Sequence, residues 1–195
     1  MEKSRIVLAS SNAGKIRELK ELLKDFEIAG YKESGYDFEI KETGNSFYEN
    51  ALIKAKAVFN ATGLPAISDD SGLKVNALGG APGIYSARYS GGNDADNIEK
   101  LLSELKDKTD RTASFSCCMV YYDGKRIIAE TGTTKGEILF SPQGENGFGY
   151  DSVFYSYDLK KPFGLATEKE KNSVSHRSRA LKEIVKKIEE HERGN

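Results

Sequence analysis

The sequence predicts an α/β protein, folded as one compact domain or as two small lobes, and three observations carry that reading. A short branched apolar run at residues 5–9 gives way to a polar loop and then to apolar residues at helical spacing, so a strand feeds a helix. Further helical and strand patterns follow, with capping signals at the helix starts and glycine-rich turns between strands. At 195 residues, 38% of them hydrophobic, the chain buries roughly 70% of the surface its extended form exposes, enough for a core without disulfide or structural metal.

Each element has its own signal. After the first strand, Ser11 or Asn12 stands ready to cap a helix carrying Ile16, Leu19, Leu22, Leu23 and Phe26. Ser46-Phe-Tyr-Glu49 is a capping-box pattern that opens a second helix through Ala51, Ala55, Val58 and Phe59, stopped at Gly63 with Pro65 beyond. Residues 66–70 read as a strand ending at Asp70-Ser71-Gly72, ahead of a glycine-rich shaped loop. Asp94 and Asp96 suit the N-terminus of a third helix whose stripe is Ile98, Leu101, Leu102 and Leu105. Residues 112–123 alternate, with Ala113, Phe115, Cys117 and Met119 on one face; Asp123-Gly124 turns the chain into a strand at 126–131, extended by 136–140. A second capping-box pattern, Thr167-Glu-Lys-Glu170, precedes the last helix and its stripe of Leu181, Ile184, Val185 and Ile188. No repeat or linker interrupts the chain, so residues 1–195 are expected to form a single functional domain.

Charge narrows the function classes. With 29 Lys plus Arg against 30 Asp plus Glu, the net charge of -1 provides no extended positive field for nucleic acid or an anionic membrane. A basic site must be local, and residues 171–187 hold six basic residues and one acid, Glu183. Cys117 and Cys118 are adjacent and, on a strand, point to opposite faces, which offers neither a bridge nor a metal-ligand spacing. The longest apolar run, residues 117–122, is far too short for a membrane span, and residues 5–9 lack the length of a signal-peptide core; a reducing cytoplasm is the expected location.

Five groups of residues could carry chemistry, each beside a plainer reading. Ser10-Ser11-Asn12-Ala13-Gly14-Lys15 leaves a strand and opens a helix, where backbone N–H groups and the helix dipole favour phosphate. The same residues also make an ordinary N-cap with a solvated lysine. They are not a Walker A loop, because Ala9 and Ile16 stand where Gly and Ser/Thr are required. Asp69 and Asp70 diverge at a strand end, so at most one faces a given site; a simple Asx-type turn also accounts for them. Glu42 and Glu49 read equally as solvated surface, but a polyphosphate substrate needs Mg2+, and Mg2+ takes one or two carboxylates while keeping waters. Lys171, His176 and Arg177 form either a cluster for base or phosphate, or a structural histidine on a solvated basic face. Phe148-Gly149-Tyr150-Asp151 is either an aromatic platform or a core pair flanking a glycine.

Taken in order, these motifs resemble the inosine triphosphate pyrophosphatase family over nearly the whole chain. The matching segments are Ser10-Ser-Asn-Ala-Gly-Lys15, Glu42-Thr-Gly, Ser46-Phe-Tyr-Glu49-Asn50-Ala, Ser68-Asp-Asp70-Ser71-Gly-Leu73, Leu78-Gly-Gly-Ala-Pro-Gly-Ile-Tyr-Ser-Ala-Arg88-Tyr, Gly147-Phe-Gly-Tyr-Asp151, and Lys171 with Ser175-His-Arg177. Ser10 stands where many relatives have Thr, which keeps the hydroxyl. The resemblance implies an elongated two-lobed α/β fold around a long mixed β-sheet with flanking helices, a nucleotide cleft between the lobes, and a homodimer using Mg2+. It implies an enzyme that hydrolyses noncanonical purine nucleoside triphosphates (ITP, dITP, XTP) to the monophosphate and pyrophosphate. By that analogy residues Ser10, Ser11, Asn12, Ala13, Gly14 and Lys15 bind the phosphates, Glu42 and Asp70 hold metal, and Asp70 is also the general base. Ser71, Phe148, Gly149, Tyr150, Asp151, Lys171, His176 and Arg177 line the nucleotide pocket. A related pyrophosphatase for pyrimidine or other modified nucleotides, and a non-catalytic nucleotide sensor or RNA-binding module, are the competing expectations.

Overall fold

The computed structural model describes residues 5–23 and 26–193. Among the described residues, seven strands form one mixed sheet in the order β2-β1-β3-β4-β5-β6-β7, with five α-helices. By their contacts the residues gather into two compact units, one of Met1–Asp70, Cys118–Thr131 and Arg179–Asn195, the other of Ser71–Cys117 and Gly132–Ser178.

In the first unit, β1 (Arg5–Leu8) runs parallel to β2 (Glu27–Gly30) and to the start of β3 (Ala66–Val75), with Val7 opposite Ala66 and Leu8 opposite Ile67. Its core gathers Val7, Ala9, Tyr31, Val58 and Ala66, with Phe59 and Leu64 packed alongside. Helix α1 (Ala13–Leu22) is capped by Asn12, whose Oδ1 accepts the Lys15 N–H at 3.0 Å; it ends short of Phe26. Helix α2 (Phe47–Thr62) begins at Ser46, whose hydroxyl accepts the Glu49 N–H, and ends at Gly63 in the left-handed region. The second half of the expected capping box differs: the Glu49 carboxylate takes the N–H of Asn45, one residue upstream of the cap.

The second unit is centred on Leu73, Val75, Leu101, Leu105, Phe115, Ile138, Val153, Phe154 and Phe163. Helix α3 (Asp94–Glu104) buries Leu101 from the stripe read in the sequence, and Leu105, at its C-cap, is buried as well. Strand β4 (Thr112–Tyr122) follows, and β5 (Ile127–Ile138) is one continuous strand where the sequence suggested two pieces. Its second half is held by antiparallel pairing with β6 (Phe154–Ser156), Gly136 opposite Ser156 and Ile138 opposite Phe154; β6 pairs in turn with the short β7 (Lys161–Pro162). Buried Arg111 ties this unit together through backbone carbonyls, donating Nε to Ile138 at 2.6 Å, Nη1 to Leu105 at 3.2 Å and Nη2 to Leu139 at 2.7 Å.

Two further boundaries differ from the sequence reading, and both fall at predicted site residues. β3 does not stop at Asp70-Ser71-Gly72 but continues to Val75. Gly72 is a close-approach position within the strand: a Cβ there would overlap Gly83 O and Ser86 Oγ, and Ser86 Oγ accepts the neighbouring Leu73 N–H. The C-terminal helical region is two helices, α4 (Glu168–Val174) and α5 (His176–Arg193), broken at Ser175. Ser175 has extended φ/ψ, and its Oγ accepts the Ser178 N–H, which makes it the cap of α5 and sets His176 and Arg177 at that helix's start. The Thr167/Glu170 capping box of α4 is complete, and α5 buries Leu181, Ile184 and Ile188. Among the described residues no helix is long and apolar enough to cross a membrane.

Candidate active site

The first unit concentrates charge around Asp69 and Asp70, in the middle of β3. Alternation along the strand sends Asp69 and Asp70 to opposite sides, and each meets a different lysine. Asp69, with a fully buried side chain, lies 3.2 Å from Lys15 Nζ. Asp70 Oδ1 lies 3.3 Å from Lys54 Nζ, while its Oδ2 accepts a hydrogen bond from Asn50 Nδ2 at 3.1 Å. The same Lys54 ammonium donates to Glu42 Oε1 at 2.6 Å. Asn50 is itself fixed, because its Oδ1 accepts the Gly44 N–H at 2.8 Å, which joins the Glu42 loop to helix α2.

Lys54 and Asn50 are residues the sequence reading missed. Both sit on the inward stripe of α2, which reads Phe47, Asn50, Ala51, Lys54, Ala55 and Val58. A lysine at an apolar position of an amphipathic helix is itself a signal, since a buried ammonium requires an acid partner. Lys15 likewise proves to have a partner that its own loop does not reveal, because Asp69 is supplied by β3.

Electrostatics follow from this packing. Burial pushes the Asp70 carboxyl above the ordinary aspartate range, opposed in part by the cations Lys54 and Lys15 and by the Asn50 hydrogen bond, and reinforced by Glu42. Burial alone would lower the Lys54 pKa, but the negative charges of Asp70, Asp69 and Glu42 together raise it, so the ammonium persists. The result is a raised-pKa carboxylate with one oxygen held by an amide and the other beside a cation, an arrangement suited to a general base.

Ser10 Oγ accepts the Asn12 N–H at 3.2 Å, and Asn12 caps α1, so the loop is shaped by its own side chains. Ser11 and Ala13 line an open hollow with Ile16, Arg17 and Lys20, and Gly14 is half-buried at the first turn of α1.

The second unit gathers the other predicted residues. Lys171, only 5% exposed, donates to Asp151 Oδ2 at 2.6 Å and stands 4.7 Å from the centre of the Phe148 ring. Arg177, 1% exposed, donates from Nη2 to Ser71 Oγ at 3.1 Å and lies 5.8 Å from the same ring. Two buried cations within 6 Å of one half-buried aromatic ring leave Phe148 in an electropositive setting. Asp151 Oδ2 also accepts the Phe148 N–H at 2.9 Å, Asp94 Oδ2 accepts the Gly149 N–H at 2.8 Å, and buried Tyr150 donates its hydroxyl to Ser86 O at 2.9 Å. His176 is stacked on Phe115, ring centres 4.9 Å apart and planes within 12°, in a cluster with Phe154 and Phe163. Of the predicted residues, then, Lys15, Glu42 and Asp70 share one charged cluster, and Ser71, Phe148, Asp151, Lys171 and Arg177 share another.

Whether the first cluster suits a divalent cation is decided by its donors. Glu42 and Asp70 already direct carboxylate oxygens at a single cationic group, and two hard oxygen ligands are as many as Mg2+ takes from protein when water and phosphate supply the rest. Among the described residues no three of His, Cys, Asp or Glu form a self-sufficient metal cage, and an ion shared with a polyphosphate does not need one. The residues fit.

The model of the Ham1 family matches residues 6–187. The dITP/XTP pyrophosphatase of Prochlorococcus marinus is 45% identical over 191 residues, 97% of this chain and 96% of that protein. The enzyme of the same name from Bacillus subtilis is 45% identical over 190 residues, 94% of this chain and 96% of its own. The structure of the Staphylococcus aureus Ham1 protein superposes with a TM-score of 0.87 at 42% identity, covering 96% of this chain and all of that one.

Proposed function

Because the chain belongs to the Ham1 family, we propose that it is a nucleoside triphosphate pyrophosphatase that hydrolyses noncanonical purine nucleotides, ITP, dITP and XTP, to the monophosphate and pyrophosphate. The observation that carries the chemistry is the Asp70 carboxylate, raised in pKa by burial and fixed between Asn50 and Lys54. Asp70 orients a water and takes its proton as that water attacks the α-phosphorus; a carboxylate with a raised pKa is the better proton acceptor. Lys15 and the N–H groups at the start of α1, with Ser10 and Asn12 shaping the loop, bind the polyphosphate that leaves. Glu42 and Asp70 hold Mg2+, which when bound neutralises charge on the phosphates.

The second cluster reads the base. Lys171 and Arg177 offer N–H donors beside the Phe148 ring, and donors match the 6-oxo acceptor of hypoxanthine and xanthine but oppose the 6-amino donor of adenine. Each buried donor left facing a donor costs about 1–3 kcal/mol, so a few such mismatches compound into large discrimination. His176 contributes through its stack on Phe115, holding the start of α5 and with it Arg177. The working enzyme is a cytoplasmic homodimer, in keeping with the family resemblance of the motifs.

The test is pyrophosphate release measured across ITP, dITP, XTP, GTP, ATP and pyrimidine triphosphates, with Mg2+ and with a chelator. Release that is Mg2+-dependent and at least ~100-fold more efficient for ITP or XTP than for ATP is expected, the scale that stacked polar mismatches reach; guanine keeps the 6-oxo acceptor, so an equal preference over GTP requires a separate device, a tight wall or an unpaired donor opposite its 2-amino group. Preference for a pyrimidine nucleotide would transfer the chain to the related pyrophosphatases, and binding without turnover would make it a sensor.

A further inference from the structure

The loop that carries Phe148 is held from outside by a residue with no part in the family motifs quoted above. Asp94 stands at the first position of α3, and its Oδ2 accepts the Gly149 N–H at 2.8 Å across 55 positions of sequence. An acid at this position ordinarily serves its own helix. Here that service is already performed by others: Asn93 Oδ1 accepts the N–H groups of Ala95 and Asp96, and Asp96 Oδ2 returns to the Asn93 N–H. The Asp94 carboxylate is therefore available to the neighbouring loop.

What it holds there is conformationally free. Gly149 has φ +60°, a left-handed conformation open to glycine at no steric cost, so the residue has many alternatives unless its peptide is held. Its two neighbours are anchored as well, Phe148 through its N–H to Asp151 Oδ2 at 2.9 Å and Tyr150 through its hydroxyl to Ser86 O at 2.9 Å. The Ser86 and Asp94 anchors come from one tied segment, because buried Asn97 accepts the Ser90 N–H at 2.7 Å and donates to Ala87 O at 3.4 Å. Of these ties, the Asp94 carboxylate is a side-chain group that can be removed without touching the platform residues or the helix cap.

We propose that Asp94 is a positioning residue for base recognition: by accepting the Gly149 N–H it fixes the peptide that aims the Phe148 ring beside Lys171 and Arg177. This rests on the reading of Phe148 as the base platform. A pre-set ring binds base in ground and transition states alike, so losing the bond raises KM and leaves kcat.

The experiment uses the full-length protein with ITP as substrate and the variants Asp94→Ala, Asp94→Asn, Phe148→Ala and the Asp94→Ala/Phe148→Ala double. Asp94→Ala is expected to raise KM about 3- to 10-fold, the scale of one hydrogen bond, with kcat changed less than about 2-fold. Asp94→Asn, whose amide oxygen still accepts, stays within about 2-fold of the parent, and in the Phe148→Ala background Asp94→Ala adds less than about 2-fold, as contact through a shared element requires. Amide hydrogen exchange at Gly149, read by NMR without nucleotide, accelerates at least ~10-fold in Asp94→Ala and recovers in Asp94→Asn. An unchanged KM and exchange rate in Asp94→Ala, an Asp94→Asn variant as impaired as Asp94→Ala, or an undiminished effect in the Phe148→Ala background overturns the proposal. If the parent protein fails to turn over ITP, the functional reading falls, while Gly149 exchange still decides whether Asp94 holds the loop.

Discussion

Lys54 Nζ lies 3.3 Å from Asp70 Oδ1, close enough to oppose the effect of burial on the carboxylate proposed as the base. Burial of Asp70 raises its pKa, and Lys54 is the foremost influence pulling it back down. The net direction is upward, which makes the carboxylate a better proton acceptor than an exposed aspartate.

Replacing Lys54 by Met removes the opposing charge and leaves the burial, so the Asp70 pKa rises further. The sign is fixed: activity requires ionised Asp70 and falls as pH drops through its pKa, so the acid limb of the kcat/KM profile moves to higher pH. A displacement of about 1 unit or more is expected for loss of a charge at this distance. An unmoved limb would separate Lys54 from the base.

Asp69 and Asp70 are expected to divide stability from catalysis. Asp70→Asn keeps the shape and the possibility of hydrogen bonding but loses proton affinity, and lowers kcat at least ~100-fold with little change in unfolding temperature. Asp69→Asn instead breaks the buried contact with Lys15 and destabilises the fold by about 3 kcal/mol. Parallel kinetics and denaturant titrations of the two variants read this division directly.

Lys15→Ala shares in both. Considered as a loop lysine it would alter phosphate binding alone, raising KM more than it lowers kcat. With Asp69 left buried and unpartnered by that ammonium, the variant also loses stability, and the second substitution Asp69→Asn restores part of it. A double-mutant cycle of unfolding free energies measures the coupling.

Arg177→Ala is expected to reduce the ratio of kcat/KM for ITP over ATP, since the guanidinium beside Phe148 is a donor that adenine cannot satisfy. A uniform rise in KM for every nucleotide, with the ratio kept, assigns Arg177 to packing alone.

The parts of the molecule that the sequence made legible are those whose causes are local. Ser46, Gly63 and the Thr167/Glu170 box mark helix ends through bonds spanning three or four residues, and the structure places those ends where they say. The strand through Gly72 was not legible, because its continuation depends on room for Gly83 and Ser86. Nor did the C-terminal pattern reveal the break at Ser175, where one hydroxyl reverses its role from helix interior to helix cap. For the site, the family-like motifs offered Lys15, Glu42 and Asp70 as candidates but neither Lys54 nor the pairings: Lys15 with Asp69, and Lys54 with Glu42 and Asp70, join strand, loop and helix far apart in sequence. The signal passed over was the polarity of Lys54 on the buried face of α2, which requires an acid partner.

Attack by water on the α-phosphorus with Asp70 as base is open to test by hydrolysis of ITP in 18O-labelled water. Monophosphate and pyrophosphate are the expected primary products, with the label in the monophosphate and none in pyrophosphate. Label in the pyrophosphate, or orthophosphate and diphosphate as first products in an assay free of contaminating pyrophosphatase, contradicts it.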